Sequence, residues 1–507
     1  MKTPSCVYLV GSGPGDPGLL TLKAQACLRE ADLIVYDYLA NPAHLKHASG
    51  SAVKICVGRG FRHKKLSQAK INRLIVGAAK KGRTVVRLKG GDPYLFGRGG
   101  EEALFLGKHG IPFRVVPGIT SAVACATYAG IPLTHRDFSS SVTFLTGHKA
   151  DDKDLDLIPW KNIVALKKGT IVIYMGFYNL EKIAKLLAQN GMARATPVAV
   201  VEWGTLGRQR SCDGTLGSIA AKSVSLGLKA PCLIVIGDVV SLRKKLNWFE
   251  RLPLFGKKIA VTRTREQSIA LSEKLEEFGA VAIEFPTIRI ERPSSFAVMD
   301  RALRNLKEYD WAIFSSAHGV RSFFERLLKT GSDARLFGSC RVAAVGPQTA
   351  EEIQRYGIRA ELVPERYETK ALAEEFLKKA GGLQGKKILL VRAAIASPEL
   401  EVSLHAAGAE VTRVDAYRTL LPVPAPRMPE GAVHAVTFTS ASTVDNFVKL
   451  FGPKKARSLS RKACFASIGP VTSAALRKHG LKVGCEAARF TTDGLVETLK
   501  KTLERNR

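Results

Sequence analysis

Short apolar runs alternate with longer helix-like stretches along almost the whole chain. Runs such as VYLV (7–10), LIVY (33–36) and IVIY (171–174) are each soon followed by Gly, Asp or Pro and then by a helical pattern. Parallel strands that are buried on both faces have this continuous apolar character, and the intervening helices cover the two faces. The rhythm predicts an α/β fold built on mostly parallel sheets.

One segment interrupts this rhythm near the middle of the 507 residues. Residues 243–258, RKKLNWFERLPLFGKK, combine charges, Pro, Gly and aromatic side chains that we expect to be exposed, and the strand-like KIAVTR follows. Boundaries between domains tend to fall in such segments. We therefore predict one domain over residues 1–247, a linker over 248–256 and a second domain over 257–507.

The second half contains an internal repeat. AIFSSAHGVRSFF (312–324) returns as VTFTSASTVDNFV (436–448), and VAAVGPQTAEEIQRYGI (342–358) returns as FASIGPVTSAALRKHGL (465–481), 123 or 124 residues later. A period this long is no solenoid repeat, so it predicts two similar α/β lobes. Hydroxyl groups that follow the strands in both copies suit carboxylate binding in a cleft between lobes, or they act as ordinary helix caps.

The segment Gly13-Pro14-Gly15-Asp16-Pro17-Gly18 formally matches the G-x-G-x-x-G pattern of dinucleotide-binding folds. That function needs free backbone N–H groups facing a pyrophosphate. Pro14 and Pro17 have no N–H group, and Asp16 places a carboxylate where the phosphates would lie. The segment therefore predicts a rigid loop beside a ligand without phosphates, such as S-adenosylmethionine.

The chain is strongly basic, with a formal net charge of +32 that is divided into +18 for residues 1–250 and +14 for the rest. Positive potential over both halves suits a polyanionic small molecule, a nucleic acid, or simply a well-solvated lysine-rich surface. Aromatic residues make up only 7% and do not interleave with basic patches, so we expect no nucleic-acid partner.

Several classes of protein are excluded by the sequence. No apolar run approaches 18 residues, so no membrane partner is expected. The nine cysteines show no C-x-x-C spacing, and no H-E-x-x-H motif is present, so we expect no metal site and a reducing, cytoplasmic location.

Longer stretches carry a family resemblance. VYLVGSGPGDPGLLTLKAQACLREADLIVYDYL (7–39), VVRLKGGDPYLFGRGGEE (85–102) and VPGITSAVACATYAGIPLTHR (116–136) resemble the uroporphyrinogen-III C-methyltransferases of the tetrapyrrole methylase family, in order over about residues 3–247. In the second half FSSAHGV, VGPQTA, DAYRT, FTSAS and IGPVTS resemble uroporphyrinogen-III synthases. The resemblance implies an N-terminal two-lobed tetrapyrrole methylase fold and a C-terminal bilobed synthase fold of two similar α/β lobes.

Two linked reactions follow from this resemblance. The synthase half would cyclise hydroxymethylbilane to uroporphyrinogen III with release of water. The methyltransferase half would then methylate carbons 2 and 7 with two molecules of S-adenosylmethionine, giving precorrin-2. Both tetrapyrroles are polycarboxylates, in agreement with the positive charge, and the family implies a homodimer through the methyltransferase half.

The resemblance also assigns residues in the methyltransferase half. Asp37, after LIVY, falls on the proposed proton acceptor. Arg59 in VGRG stands where the family has a lysine that is the proposed proton donor; because Arg stays protonated, it suits carboxylate binding, with His63 and Lys64 as other candidate donors. Trp203 replaces an arginine common in its motif. The implied cofactor-binding residues are Pro14, Gly90, Gly91, Asp92, Leu95, Thr120, Ser121, Met175 and Gly204.

In the synthase half, Tyr417 in DAYRT matches the residue implied to donate a hydrogen bond to the departing hydroxyl. The implied substrate-binding residues are Arg263, Ser316, Thr349, Thr369, Ser440 and Thr472. The stretch RAAIASPEL (392–400) departs from the family because it lacks a second arginine. An active methyltransferase joined to a non-catalytic synthase half is therefore the alternative. A methylase for a later corrin intermediate agrees less well with the continuous match over GGDPYLFGRGGEE.

Overall fold

The computed structural model describes residues 6–58, 66–147, 155–166, 168–263, 265–364, 382–426, 428 and 433–504. The strands are β1 (Val7–Gly11), β2 (Leu33–Tyr36), β3 (Val53–Cys56), β4 (Val85–Lys89), β5 (Phe113–Val116), β6 (Ser141–Thr146), β7 (Gly169–Tyr174), β8 (Pro197–Glu202), β9 (Arg210–Thr215), β10 (Cys232–Ile236), β11 (Lys258–Val261), β12 (Val281–Glu284), β13 (Arg289–Glu291), β14 (Trp311–Phe314), β15 (Arg341–Ala344), β16 (Lys387–Ala393), β17 (Glu410–Leu420), β18 (Ala435–Phe438), β19 (Cys464–Ser467) and β20 (Cys485–Glu486).

The helices are α1 (Leu22–Glu30), α2 (Gln68–Lys80), α3 (Gly99–Lys108), α4 (Ser121–Tyr128), α5 (Trp160–Ala165), α6 (Leu180–Gln189), α7 (Ile219–Ser225), α8 (Arg243–Leu246), α9 (Arg265–Glu277), α10 (Ala297–Arg304), α11 (Ala317–Lys329), α12 (Pro347–Gln354), α13 (Glu399–Ala406), α14 (Ala441–Phe451), α15 (Pro453–Lys462), α16 (Pro470–Lys478) and α17 (Thr492–Glu504). No described helix combines the length and the apolar composition that a membrane span requires.

Two compact units divide the chain. The first contains the residues up to Ile259 together with Ser272–Ile283 and the chain from Val496 onwards. The second contains Ala260–Leu271 and Glu284–Leu495. The first unit carries two complete five-stranded sheets, which are called the parallel sheet and the mixed sheet below.

The parallel sheet has the strand order β3-β2-β4-β1-β5, and every neighbouring pair is parallel. All residues of β1 and β4 are buried. Side chains such as Leu9 and Val35 pack on one face with Ile75 of α2, whereas Val10 and Ile34 pack on the other face with α1. The predicted parallel sheet with two covered faces is thus confirmed for this part of the chain.

The mixed sheet has the order β6-β7-β10-β8-β9, in which only β6 and β7 are parallel. The prediction of mostly parallel strands is wrong here. Strands β8 and β9 are joined by a short turn without a helix, and a connection without a crossover returns the chain antiparallel. Buried antiparallel strands can have the same continuous apolar sequence as parallel strands, so the apolar runs did not reveal their direction.

In the second unit the strands β13-β17-β16-β14-β15 form one sheet, in which only β13 is antiparallel to its neighbour. Strands β18, β19 and β20 pair in parallel elsewhere in this unit. The first copy of the repeat forms β14-α11 and β15-α12, and the second copy forms β18-α14 and β19-α16. The two copies therefore lie in different sheets, as expected for two similar α/β lobes.

Candidate functional site

A cavity of about 1140 Å³ lies in the first unit, between the carboxyl edge of the parallel sheet and residues of the mixed sheet. Its volume exceeds the roughly 300–1,000 Å³ of typical small-molecule sites, so it has room for two ligands. All nine residues predicted to bind the cofactor lie on its walls: Pro14, Gly90, Gly91, Asp92, Leu95, Thr120, Ser121, Met175 and Gly204.

The loop after β1 uses its polar groups within the protein. The N–H of Asp16 donates to Thr205 Oγ1 (3.0 Å), and the Asp16 carboxylate accepts from the Gly18 N–H (2.7 Å) and the Tyr128 hydroxyl (2.6 Å). The Thr205 hydroxyl donates to the Pro14 carbonyl (3.0 Å). These bonds hold the loop against the mixed sheet and leave few N–H groups for a phosphate, in agreement with the sequence argument against a dinucleotide.

The loop after β4 is organised by Asp92. Its Oδ1 accepts from the N–H groups of Tyr94 (2.8 Å) and Leu95 (3.1 Å), and its Oδ2 accepts from the N–H of Gly118 (3.1 Å). Gly91 has a φ of +69°, a left-handed conformation that suits glycine. Asp92 thus holds the shape of this cavity wall through three backbone hydrogen bonds.

The wall formed by α4 and β7 is joined by the Tyr174 hydroxyl. This hydroxyl lies 2.5 Å from Thr120 Oγ1 and accepts from the Ala122 N–H (3.2 Å), next to Ser121 at the start of α4. Burial raises the pKa of Tyr174. Met175, directly after β7, exposes half of its side chain to the cavity.

Left-handed backbone is concentrated around the cavity. The non-glycine residues with positive φ in the described ranges are Phe96, Arg98, Met175, Trp203 and Thr205, and all except Arg98 line the cavity. Thr205 is held there because its N–H donates to Gln209 Oε1 (2.9 Å). Gly204 approaches α4 so closely that an added Cβ would lie 2.5 Å from Cys125 Sγ. Such local strain often accompanies functional sites.

Asp37 follows β2 between Tyr36 and Tyr38, which line the cavity, but it is not itself among the described lining residues. Its Oδ1 accepts from Arg87 Nη2 at 2.5 Å. Its side chain is 31% exposed, whereas Arg87 is buried. The ion pair fixes the orientation of the Asp37 carboxylate beside the cavity.

Beneath Asp37 lies a buried group of charges. Arg87 Nε donates to Glu102 Oε1 (3.0 Å), and Lys89 Nζ lies 3.2 Å from the same carboxylate. Burial alone would lower the pKa of Arg87, but the Asp37 and Glu102 carboxylates raise it overall. Burial and the neighbouring Arg87 lower the pKa of Lys89. The two cations of β4 and the two carboxylates, one after β2 and one on α3, therefore compensate each other.

The predicted linker, residues 248–256, is called the connector below, and it is only partly exposed. Trp248 is 47% exposed, as expected, but Phe249 and Leu254 are buried, which corrects the expectation for Phe249. The Trp248 indole donates to the Thr127 carbonyl (3.1 Å), and the rings of Trp248 and Phe249 pack on Tyr128 at 5.1 and 4.8 Å. Because Tyr128 also donates to the loop after β1, this connector contacts the structure that surrounds the cavity.

Glu250 anchors the connector. Its carboxylate accepts from Gln209 Nε2 (2.9 Å), Ser211 Oγ (2.6 Å), Arg243 Nη2 (2.7 Å) and Asn247 Nδ2 (2.9 Å). Burial alone would raise the pKa of Glu250, but these donors lower it overall. These bonds join the connector to Gln209 and Ser211, which follow β8, and to Arg243 and Asn247 at the two ends of α8.

In the second unit, two predicted residues come together. The Tyr417 hydroxyl on β17 lies 3.0 Å from Ser316 Oγ, and Ser316 also accepts from the Gly319 N–H (3.1 Å) as the N-cap of α11. Burial raises the pKa of Tyr417, so its hydroxyl remains a proton donor. The His318 ring lies 5.8 Å from the ring of Tyr417.

The other predicted synthase residues are more dispersed. Thr349 and Thr472 are buried in the first turns of α12 and α16, and Ser440 is the N-cap of α14, where it accepts from the Thr443 N–H (3.3 Å). Arg263 is half-buried after β11, and burial lowers its pKa. No hydrogen bond in the described parts of the second unit joins these four predicted residues to each other. Arg59, His63, Lys64 and Thr369 lie outside the described residues.

Sequence reasoning missed several residues of the site. Arg87 and Glu102 are separated by 15 positions, and nothing in the sequence identifies them as partners. The charges at alternate positions of the apolar VVRLK were a signal that the strand contains buried ion pairs. Arg208 on the cavity wall was also missed, because one basic residue in a basic chain carries no signal. Among the described residues, no group of three or more His, Cys, Asp and Glu could hold a metal ion.

Two family models match different parts of the chain. A family model for tetrapyrrole (corrin/porphyrin) methylases matches residues 6–220, and a model for uroporphyrinogen-III synthase HemD matches residues 269–497. The uroporphyrinogen-III C-methyltransferase of Bacillus subtilis is 42% identical over 351 residues, 69% of this chain and 71% of that protein.

A solved structure of uroporphyrin-III C-methyl transferase from Thermus thermophilus, complexed with S-adenyl homocysteine, is 36% identical, covers 47% of this chain and 100% of that chain, and has a TM-score of 0.40. The porphyrin biosynthesis protein HemD of Ruminiclostridium josui is 37% identical over 498 residues, which are 97% of this chain and 97% of that protein. The chain therefore belongs to the family of this porphyrin biosynthesis protein and joins a tetrapyrrole methylase domain to a uroporphyrinogen-III synthase domain.

Proposed function

We propose that the chain is a bifunctional enzyme that cyclises hydroxymethylbilane to uroporphyrinogen III and then methylates carbons 2 and 7 to give precorrin-2. The observation that carries the proposal is the convergence of all nine predicted cofactor residues on one cavity of about 1140 Å³. We assign methylation to residues 1–247 and cyclisation to residues 257–507, with 248–256 between them, and we propose a homodimer through the methyltransferase half.

The cavity suits S-adenosylmethionine. Leu95, Phe96 and Met175 offer apolar walls for an adenosine, and Gly91 lets the backbone approach a ligand closely. The loop after β1 offers few N–H groups to a phosphate, which S-adenosylmethionine does not have. When bound, this cofactor supplies an electrophilic methyl group.

The chain would contribute orientation and proton transfer. Methyl transfer to a substituted pyrrole carbon makes that carbon quaternary and leaves the ring positively charged. The ring then releases a proton from a ring N–H or an adjoining methylene, and a positioned carboxylate can accept it. Asp37 is the candidate, because Arg87 holds its carboxylate next to the cavity-lining Tyr36 and Tyr38. Arg59 is proposed to bind a substrate carboxylate rather than to donate a proton.

For cyclisation, Tyr417 is the candidate proton donor to the departing hydroxyl. Its hydroxyl is only 3.0 Å from Ser316, and burial keeps it protonated by raising its pKa. A neutral hydrogen-bond donor of this kind can assist a leaving group without a metal ion. Arg263, Ser316, Thr349, Thr369, Ser440 and Thr472 remain the proposed contacts for the substrate carboxylates.

The test is an incubation of the full chain with hydroxymethylbilane, with and without S-adenosylmethionine, followed by mass and isomer analysis. We expect type III uroporphyrinogen without the cofactor and a doubly methylated product with it. Type I isomer alone, together with methylation of supplied uroporphyrinogen III, would establish the alternative of a non-catalytic synthase half. Failure to methylate supplied uroporphyrinogen III would refute the proposed methyltransferase.

Two variants separate the two activities. Asp37→Asn should lower the methylation rate at least about tenfold while cyclisation continues, because general-base groups contribute roughly 10²–10⁴-fold. Tyr417→Phe should slow cyclisation while methylation of supplied uroporphyrinogen III continues. If either variant affected both reactions equally, the assignment of that residue to one half would be wrong.

A further inference from the structure

The walls of the cavity contain few cations. Lys46 is the only lysine and Arg208 the only arginine among the described lining residues. Lys46 forms an ion pair with the Glu273 carboxylate. Arg208 forms no ion pair or hydrogen bond with any other described residue. Among the described lining residues, Arg208 is therefore the cation that is available to a negatively charged ligand.

Arg208 is held in a defined position by an aromatic platform. Its guanidinium carbon lies 3.7 Å from the centroid of the Trp203 ring. Trp203 in turn packs edge-on against Tyr38, with 6.3 Å between ring centroids and an angle of 75°. The Trp203 backbone has a left-handed φ of +48°, and its N–H donates to the Pro231 carbonyl (3.2 Å). This backbone conformation orients the indole on which Arg208 rests.

Stacking leaves the hydrogen-bonding edge of the guanidinium open. The five N–H groups of an arginine lie in the guanidinium plane, so an aromatic ring against its face blocks none of them. Such an edge binds a carboxylate through two parallel hydrogen bonds. The geometry thus matches a carboxylate that approaches from within the cavity.

We propose that Arg208, supported by Trp203, binds a side-chain carboxylate of the tetrapyrrole and contributes to substrate specificity in the methyltransferase half; this inference rests on the proposed function. The family resemblance implies an arginine at position 203, so Trp203 would weaken one substrate contact. The structure places a guanidinium on that same indole, supplied from five positions later in the chain. The contact is retained by a different residue.

The carboxylate could come from either of two ligands, because S-adenosylmethionine carries one as well. The tetrapyrrole is favoured because the platform under Arg208 contacts Tyr38, the neighbour of the proposed proton acceptor Asp37. A residue beside the proposed proton acceptor is expected to lie near the molecule that loses the proton. The kinetics of the two substrates distinguish these sources.

The experiment measures methylation by the full chain while uroporphyrinogen III and S-adenosylmethionine are varied separately. Arg208→Gln should raise KM for uroporphyrinogen III by about tenfold or more, as expected for a lost charge-assisted hydrogen bond. Its KM for S-adenosylmethionine should stay within about twofold. Arg208→Lys should restore part of the loss, because it keeps the charge but not the two-point geometry. Trp203→Leu should raise KM for uroporphyrinogen III by removing the platform.

Arg73→Gln is the matched control, because it removes an arginine from the exposed surface of α2, outside the cavity. It should leave both KM values unchanged. An Arg208→Gln variant with unchanged KM for uroporphyrinogen III, or with only the KM for S-adenosylmethionine raised, would overturn the inference.

A chain that does not methylate at all would refute the proposed function, and equilibrium binding would then test Arg208 directly. Binding of uroporphyrinogen III to the unmodified chain and to Arg208→Gln would be compared under anaerobic conditions. At least about tenfold weaker binding by the variant supports the inference. Equal binding, or no binding by the unmodified chain, overturns it.

Discussion

The charges beneath Asp37 form a balanced set in which each member depends on the others. Arg87 lies between Asp37 and Glu102, and Lys89 also contacts Glu102. Removal of one partner from a buried ion pair leaves an uncompensated charge, which costs more than the pair itself contributes. The network is therefore more important for fixing Asp37 than for adding net stability.

Glu102→Gln tests this dependence. Loss of the carboxylate leaves Arg87 and Lys89 with only Asp37, so we expect the free energy of unfolding to fall by about 3–5 kcal/mol. Urea denaturation followed by circular dichroism measures the change. Glu101→Gln is the control, because Glu101 is 56% exposed and pairs only with the exposed Arg98. Equal stability of the two variants would show that the buried charges are not coupled.

His44 makes the stability depend on pH. The ring is fully buried, and burial lowers its pKa from 6.5 to about 4. Below pH 6.5 the unfolded chain takes up a proton that the folded chain refuses, so this contribution to stability is lost as the pH falls from 6.5 towards 4. The loss should amount to about 3 kcal/mol, given about 1.36 kcal/mol per pKa unit.

The measurement is urea denaturation at pH 7, 5.5 and 4.5 for the unmodified chain and for His44→Leu. The difference in unfolding free energy between the two chains should shift with pH in favour of the variant as the solution becomes more acidic. His109→Gln, at an exposed position, should keep the pH dependence of the unmodified chain. A pH-independent difference for His44→Leu would contradict the prediction.

Nine residues of the cavity were predictable, whereas the rest of its lining and the charges beneath it were not. Pro14 and Gly90 follow the neighbouring parallel strands β1 and β4, whose carboxyl ends meet at one edge of a sheet. Met175 follows β7 of the mixed sheet, so only the family resemblance indicated it. The residues that surround His44 and Glu102 are distant in sequence and are brought together only by tertiary packing. No local pattern in the sequence specifies which buried polar residue faces which neighbour.

At the scale of elements, the repeat in the second half corresponds to two strand–helix units with the same caps. Ser316 caps α11 and Ser440 caps α14, each by accepting from the N–H three residues later. A serine N-cap satisfies an N–H group that has no partner within the helix. The structure thus shows the capping role of both residues, while carboxylate binding by either stays a prediction.

Substitutions of Ser440 separate the two roles. Ser440→Ala removes the cap and should cost about 1 kcal/mol of stability, whereas Ser440→Asp keeps a cap and should cost little. The aspartate would repel a substrate carboxylate, so it should raise KM for hydroxymethylbilane if Ser440 also binds substrate. Thermal denaturation and cyclisation kinetics measure the two effects. An unchanged KM in Ser440→Asp would leave Ser440 with the capping role alone.

The repeat was visible in the sequence because both copies keep the same residues at strand ends and helix starts. The direction of β8, β9 and β10 was not visible. Strands buried on both faces have the same apolar composition whether they run parallel or antiparallel, and only the length of the connection distinguishes them.

At the scale of the molecule, the connector shows how composition can mislead. Its charged, Pro- and Gly-containing sequence is typical of a linker, yet Phe249 and Leu254 are buried and Glu250 accepts four hydrogen bonds. The composition of a segment shows whether its residues tolerate solvent. Whether they are buried depends on which other parts of the folded chain pack against them. The connector is therefore part of the structure that supports the cavity.

Glu250→Ala should release the connector. The substitution leaves the buried Arg243 with only Asp213 as an ionic partner (3.1 Å), and we expect a loss of about 3–5 kcal/mol. Limited trypsin digestion should show faster cleavage at Arg251, and urea denaturation should show the lower stability. Glu181→Ala, which removes an exposed partner of Lys185, is the control. Unchanged cleavage at Arg251 would show that the connector is held by its aromatic contacts alone.

Because Trp203 lies in the cavity wall, the binding of ligands has an optical consequence. Trp160 and Trp311 are almost fully buried, Trp248 is half-exposed and packs on Tyr128, and Trp203 is the tryptophan that lines the cavity. A ligand that displaces water from the indole, or draws Arg208 away from it, changes its emission directly. The chain thus carries its own fluorescent reporter of ligand binding. Trp203→Phe, which lacks this indole, is the control.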